Sequence, residues 1–570
     1  MRLLRVDMNQ RQVCWDTVPA AYERLGGRAL IARILLDEIP ATCQPLGTEN
    51  KLIFAPGLLG GANITAAGRL SVGGKSPLTN GVKEANAGGT AGECLGKLGI
   101  KAVIIEGQAS EGEWFILHIQ SDKAILLPAD DLHGKGTYAT SAQLQQHFGK
   151  DSTIISIGPA GEYQLRGAAI VVTGEGDQRS NIAARGGLGA VMGSKGLKAV
   201  VIDRPIKREF EYANEDLLRT AAKAFALKLI NDPKLGTKGS QHLYGTASIV
   251  AAVNEIGSLP TRNFSSGNFE HASTLYGEIL RETTLARGGQ AGTRCMPGCV
   301  IACRNVFVDK DGDPIVGTLQ FETIALIGSN LGLGSLDDIA RLNYLCNDIG
   351  LDTIETGAAL GVAAEAGLTK FGDFASFASM LKQVVENTPY GRMIGNGVVE
   401  TGKLTGITHV PAALGQAFPG YDPRSLKGNG VTYATSPQGA DHTAGNAFGA
   451  RKEVNPLGKE GQRELSLKLQ IIAAMLDSTG LCLFARPPII AEPQLMVDML
   501  NGMYGWNWAI DDYNQFNRNV LRMELEFNRK AGITASDYRL PEYLHTDPLP
   551  PHNAVFDVPD DELDRVFDDL

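Results

Sequence analysis

Leu197-Lys198-Ala199-Val200-Val201-Ile202, closed by Asp203-Arg204-Pro205, is the last stretch of this chain that reads as strand. Upstream of it, short apolar runs alternate with Gly, Asn, Asp and Pro turns. They include Leu52-Ile53-Phe54, Ala102-Val103-Ile104-Ile105, Trp114-Phe115-Ile116-Leu117 and Ala168-Ala169-Ile170-Val171-Val172, the pattern of β-strands separated by turns. One helix-like stretch, Cys94 to Leu98, interrupts them. Downstream the period changes to that of helices, first from Asn214 to Ile230 and then through most of the remaining chain. The expected fold is α+β, with a β-rich domain over residues 1–205 and helical domains over 206–410 and 411–570, divided at the Pro411–Pro423 break. The acidic stretch from Asp557 to Leu570 is expected to be a solvated tail or a short helix.

A chain of 570 residues is too long for one core. With 43% apolar and 20% charged residues it has a globular balance and buries its cores without disulfides. The net charge of -10 and the absence of any basic run argue against nucleic acid as a partner. No stretch is apolar and long enough for a signal peptide or a membrane span, so a cytoplasmic protein without membrane insertion is expected. The 68 glycines, grouped in pairs such as Gly60-Gly61, Gly88-Gly89 and Gly186-Gly187, suit a backbone folded closely around a large ligand, although β-turns account for part of them.

Three of the eight cysteines, Cys295, Cys299 and Cys303, form a C-x3-C-x3-C cluster. Soft thiolates at that spacing suit zinc or an iron–sulfur cluster, and a fourth ligand must come from elsewhere. A second signal is duplicated. Asn347-Asp348-Ile349-Gly350-Leu351-Asp352 ends a helix that opens at Ser335 with Asp338 three residues on, and Asp477-Ser478-Thr479-Gly480-Leu481-Cys482 ends another. Each glycine can close its helix in the left-handed conformation, so each copy alone reads as a plain C-cap. Two copies suggest two like ligands, and Cys482 can complete the thiolate set. Glu322, in the apolar Phe321-Glu322-Thr323 stretch, and His442, in a small polar loop, are the candidate acid–base groups. Two near-misses are set aside: Gly68 to Ser76 exceeds the phosphate-loop spacing by one residue, and Gly187 to Gly193 misses the dinucleotide fingerprint by one.

Taken together, the segments resemble the aldehyde:ferredoxin oxidoreductase family. The likeness rests on Gly26-Gly27-Arg28, Gly68-Arg69, Lys75-Ser76-Pro77-Leu78-Thr79, Asn86-Ala87-Gly88-Gly89 and Ala184 to Lys195. It continues through the cysteine cluster, Phe321-Glu322-Thr323, both Gly-Leu motifs, Tyr421-Asp422-Pro423-Arg424 and the His442 loop, covering residues 1 to 530. The resemblance implies tungsten, or molybdenum, between two pyranopterins, a [4Fe-4S] cluster beside them, and a magnesium ion between the pterin phosphates. It assigns Cys295, Cys299, Cys303 and Cys482 to the cluster. It assigns Arg69, Asn86, Gly88, Arg185, Asn347, Gly350, Leu351, Asp352, Asp477, Gly480 and Leu481 to the cofactor, and Glu322 and His442 to catalysis.

The activity so implied is oxidation of an aldehyde to a carboxylic acid, with electrons passed to ferredoxin or a ferredoxin-like subunit; a homodimer is compatible with it. Three departures bear on this. The family's cysteine spacing is one residue shorter before the second cysteine, Asn347 stands where Asp is usual, and Gln438 and Asp441 stand where relatives often have Arg and Cys. The open alternatives are the same cofactor reducing a carboxylic acid or an aromatic acyl thioester, and a zinc-stabilised scaffold without redox chemistry.

Overall fold

The computed structural model describes residues 1–174 and 181–570. The N-terminal part is two six-stranded sheets. The first is built from β1 (Arg2–Asp7), β2 (Gln12–Thr17), β3 (Leu52–Pro56), β4 (Leu70–Lys75), β5 (Val82–Ala87) and β6 (Ile100–Glu106). The second holds β7 (Phe115–Ile119), β8 (Ala124–Pro128), β9 (Thr153–Ser156), β10 (Ile170–Val172), β11 (Asn181–Ala183) and β12 (Leu197–Ile202). The spatial orders are β2-β1-β6-β3-β4-β5 and β8-β7-β12-β9-β10-β11. Six added to each number of the first order gives the second. The one parallel pair falls at the same place in each sheet, β1 with β6 and β7 with β12. Helices fall alike too: Gly27–Glu38 and Thr137–Phe148 follow the second strand of each unit, and Ala91–Lys97 and Leu188–Ser194 precede the last. The N-terminal part is an internal duplication.

The sheets pack face to face. Leu4, Val6, Phe54 and Val72 of the first meet Leu117, Ile155, Val200 and Ile202 of the second in one buried cluster. The opposite faces are covered as well. Leu3, Ile53, Ala102 and Ile104 lie under helix Gly27–Glu38, and Ile116, Ile154, Ala199 and Val201 lie in a cluster with Leu144 of helix Thr137–Phe148. Strands buried on both faces read as unbroken apolar runs, which is why Leu52-Ile53-Phe54 and Ala199-Val200-Val201 carry no alternation. Each fully buried Leu, Ile or Phe contributes roughly 1.5–3 kcal/mol relative to exposure.

The rest of the chain is mostly helical, as expected for the α+β class, and two of its helices aim at the duplicated unit. Helix Leu336–Ile349 starts at Ser335, whose side chain accepts from the Asp338 amide, and stops at Gly350 with φ 79°. Helix Gln462–Thr479 stops at Gly480 with φ 80°. Pro411–Pro423 carries a short hairpin, Ala412–Ala413 with Gln416–Ala417. The acidic C-terminus forms a short helix, Asp560–Asp564, that buries Leu563 and Val566. Among the described residues no single helix is long and apolar enough to cross a membrane.

Candidate functional site

The two Gly-Leu motifs dock on the two halves of the duplicated unit by one scheme. In the second motif, the amides of Leu58, Leu59 and Arg69 donate to the carbonyls of Ser478, Thr479 and Gly480, and the Cys482 amide donates to the Ala66 carbonyl. In the first, the Ala169 amide donates to the Gly350 carbonyl and the Asp352 amide to the Gly167 carbonyl. The Ser478 hydroxyl accepts from the Ala29 amide in the first turn of helix Gly27–Glu38. Asp348 does the same for Tyr138 in helix Thr137–Phe148. A Cβ on Gly57 would lie 2.1 Å from the Gly480 nitrogen, and one on Gly158 would lie 2.3 Å from the Ile349 carbonyl oxygen. Backbone contact that close admits only glycine. Leu351 and Leu481 are both buried behind their motifs.

Asp477 heads the second motif inside a buried charge network. Its carboxylate lies 3.3 Å from Arg28 and accepts from the Asn86 amide at 2.7 Å. Arg28 in turn forks onto Glu524 with bonds of 2.7 and 2.8 Å, and Gln438 donates to the same carboxylate at 2.7 Å. Arg69 binds the Asn86 side chain and donates to its carbonyl at 3.1 Å, and its charge is felt by both Asp477 and Cys295. Arg69 therefore lies between motif and thiols. Burial raises Asp477 to about 6, with Arg28 and Arg69 opposing. Glu84, buried beside Asp477, is pushed up to about 8 by burial and by that neighbour, and its Oε1 has no hydrogen-bond partner.

Cys295, Cys299, Cys303 and Cys482 are all free thiols. Burial raises Cys295, Cys299 and Cys303, and each of these also feels the charge of Cys482. The Cys295 sulfur lies 3.2 Å from a Cβ built on Gly88, which fixes Gly88 against the thiol group. Metal binding at these cysteines would remove the thiol protons and neutralise the charge that burial disfavours. Gly298, just before Cys299, is exposed, has φ 70° and meets nothing within 4 Å of its Cβ position.

The first motif faces a second group of charges. Arg185 is buried, donates to the carbonyls of Ala417 and Ala440, and keeps its Nε and Nη1 unpaired by hydrogen bonds, with Nε 3.5 Å from Asp352. The Asp352 Oδ2 is likewise without a hydrogen bond. Asn347 reaches the Tyr138 hydroxyl at 3.3 Å. Buried polar atoms left this way are costly, and they fit the donor and acceptor edge of a heterocycle seated between Arg185 and Asp352. Sequence reasoning missed Glu355, which sits under Arg185. It accepts from the amides of Val398 and Ala417, each at 2.9 Å, and burial raises it to about 7.

Glu322 and His442 come together over this cradle. Glu322 lies in the helical turn Phe321–Thr323, which runs into a π-helical stretch, Ile324–Gly328, an irregularity frequent at functional sites. The Gly420 amide donates to its Oε2 at 2.6 Å. Its Oε1 lies 3.3 Å from His442 Nε2 without hydrogen-bond geometry, and the two side chains are 13% and 16% exposed. Burial raises Glu322 above the usual carboxylate range, with His442 and Arg185 opposing. Asp441 lies 3.7 Å from His442 Nδ1 and is bonded to Lys83 at 2.8 Å. Against the cost of burial, the charges of Lys83 and Arg185 hold Asp441 well below the usual range. The Gly68–Ser76 near-miss is strand β4, and Lys75 is bound by the Ala41 and Cys43 carbonyls.

A paired acid and base beside a cradle of unpaired polar atoms is the kind of construction a cofactor-dependent oxidoreductase uses. The family model for the N-terminal domain of aldehyde ferredoxin oxidoreductase matches residues 3–204, and the model for its domains 2 and 3 matches 221–570. The chain belongs to the aldehyde ferredoxin oxidoreductase family. It is 32% identical to a tungsten-containing aldehyde ferredoxin oxidoreductase of Thermococcus kodakarensis, covering 96% of this chain and 92% of that one. Identity is 31% to the protein so named from Pyrococcus furiosus, over 93% and 88%. An aliphatic sulfonate oxidoreductase, WOR-like subunit, of Pyrococcus furiosus is 26% identical over 92% and 85%. In fold the chain is similar to the active site complex BamBC of benzoyl Coenzyme A reductase, with a TM-score of 0.79 at 19% identity over 95% of this chain and 90% of that one.

Proposed function

We propose that this chain oxidises an aldehyde to the carboxylic acid at a tungsten centre, or its molybdenum equivalent, held by two pyranopterins. Electrons then pass through a [4Fe-4S] cluster to ferredoxin or a ferredoxin-like protein. The observation that carries the reading is the Glu322–His442 pair, 3.3 Å apart and partly open, beside the unpaired atoms of Arg185 and Asp352. Two pterins suit two motifs docked by one scheme. Asp477, Asn86 and Arg69 would hold one pterin, and Asn347, Asp352 and Arg185 the other. Cys295, Cys299, Cys303 and Cys482 would hold the cluster, with Gly88 packed against Cys295.

When bound, the metal and cluster would supply the two-electron redox chemistry. The protein's own part is proton handling. Aldehyde plus water gives acid, two electrons and two protons. Glu322, raised by burial, is poised to take a proton from water at its free Oε1. His442 Nε2 is placed to donate to the carbonyl oxygen, with the Asp441 carboxylate 3.7 Å from its Nδ1. Gly420 holds the other Glu322 oxygen, so the proton has one destination. Anaerobic turnover of aldehydes with a viologen dye tests this. Aldehyde-dependent dye reduction that is lost in Glu322→Gln supports it. Dye-driven reduction of acids or aromatic thioesters, with no aldehyde oxidation, overturns it.

A further inference from the structure

Beyond the catalytic pair, an aromatic wall leads towards an unpaired cation. The Phe321 and Tyr421 rings are 4.9 Å apart, Tyr421 and His442 6.3 Å, and Tyr421 and Phe448 5.9 Å. Next to Phe448 the chain surfaces at Gly449, and a Cβ there would lie 3.5 Å from Nη2 of Arg486. Arg486 is half-buried, and among the described residues it makes no hydrogen bond or ion pair. Burial lowers its pKa, and the charges of Tyr421 and Cys482 favour its cationic form. Tyr421 also feels the charge of Glu322. Glu322, His442, Thr443, Asn446 and Arg486 are all partly exposed, and they mark a path from the reacting centre to the surface at Gly449. A partly exposed guanidinium without a carboxylate partner is open to pairing with an anionic ligand. Its fork geometry suits a carboxylate.

We propose that Arg486 is a specificity-determining residue that receives an anionic group at the far end of an aldehyde substrate. This rests on the aldehyde-oxidation reading above. The probes are benzaldehyde, which has the ring alone, and 4-formylbenzoate, which adds a carboxylate opposite the aldehyde. Holoenzyme should prefer 4-formylbenzoate. Arg486→Gln should cut kcat/KM for it about 10- to 100-fold, mainly through KM, the range of a charge-assisted hydrogen bond. Benzaldehyde should change less than about threefold, and Arg486→Lys should recover part of the loss. A readout independent of turnover is calorimetric binding of terephthalate against benzoate, with the terephthalate advantage lost in Arg486→Gln. An equal fall for both aldehydes would overturn the proposal, because it would place Arg486 in tuning the Cys482 region instead. So would a wild-type enzyme with no preference between them. If no aldehyde is oxidised, the catalytic reading fails, and terephthalate binding still decides whether Arg486 recognises an anion.

Discussion

Glu524→Gln should loosen the clamp that holds the second motif. Glu524 is fully buried, Arg28 is 2% exposed, and two bonds of 2.7 and 2.8 Å join them. The substitution removes the negative partner and leaves the Arg28 charge with only Asp477 at 3.3 Å. Removing one member of a buried pair costs about 3–5 kcal/mol, or roughly a 10²- to 10⁴-fold rise in local opening. A chain of this size does not unfold in one step, so the assay is amide hydrogen exchange in helices Gly27–Glu38 and Ile510–Lys530. Protection should fall there by that factor and hold in helix Thr137–Phe148, which docks the other motif. The double variant Arg28→Met, Glu524→Met should recover part of the protection, because the unpaired Arg28 charge is gone while Asp477 loses its partner at 3.3 Å. Protection unchanged within about tenfold in Glu524→Gln would refute the claim that this pair bears on the site.

Glu322→Gln should lower kcat/KM about 10²- to 10⁴-fold, the usual worth of a general base. Wild-type kcat/KM should rise with pH through the raised Glu322 pKa, since the base must be ionised, and that limb should vanish in the variant. Glu84 folds with a pKa near 8, against about 4.3 unfolded. Its contribution is therefore complete below the unfolded value and lost as pH rises through 8. Thermal-inactivation rates of Glu84→Gln should match wild type below about pH 4.3 and become progressively slower than wild type as pH rises to 8. Gly57→Ala should lose both iron and pterin, because its Cβ strikes Gly480 two residues before Cys482. Gly158→Ala, striking Ile349, should keep iron and lose pterin, as read by metal and pterin assay.

The duplicated motif was legible because a helix stop needs glycine in the left-handed conformation, and both copies spell it. The strands at 52–54, 102–105 and 197–202 were legible as apolar runs, and the structure places β3, β6 and β12 there. The matching duplication of the sheets was not legible. It is a likeness of strand order and pairing, which long-range hydrogen bonds hold, and unlike residues fill the equivalent places: Arg69 and Ala169 donate to equivalent motif carbonyls. Helix Gly27–Glu38 was missed because it is buried nearly all round, so no polar face marks its period. Glu524 left a signal that went unread. It is the one acid on the face Val520, Leu521, Phe527 of an otherwise amphipathic helix, and a charge at such a position demands a buried partner. Arg28 was quoted for its place in a motif, and only the fold shows what it holds.

The central claim is a pterin-bound metal beside an iron–sulfur cluster, and elemental analysis of anaerobically purified protein for W, Mo, Fe and Zn tests it most directly. About four iron and one tungsten or molybdenum per chain is the predicted result, the stoichiometry of one cubane beside one pterin-held metal. Zinc alone, after growth with iron, tungsten and molybdenum all supplied, would contradict it and leave the four cysteines as a structural site.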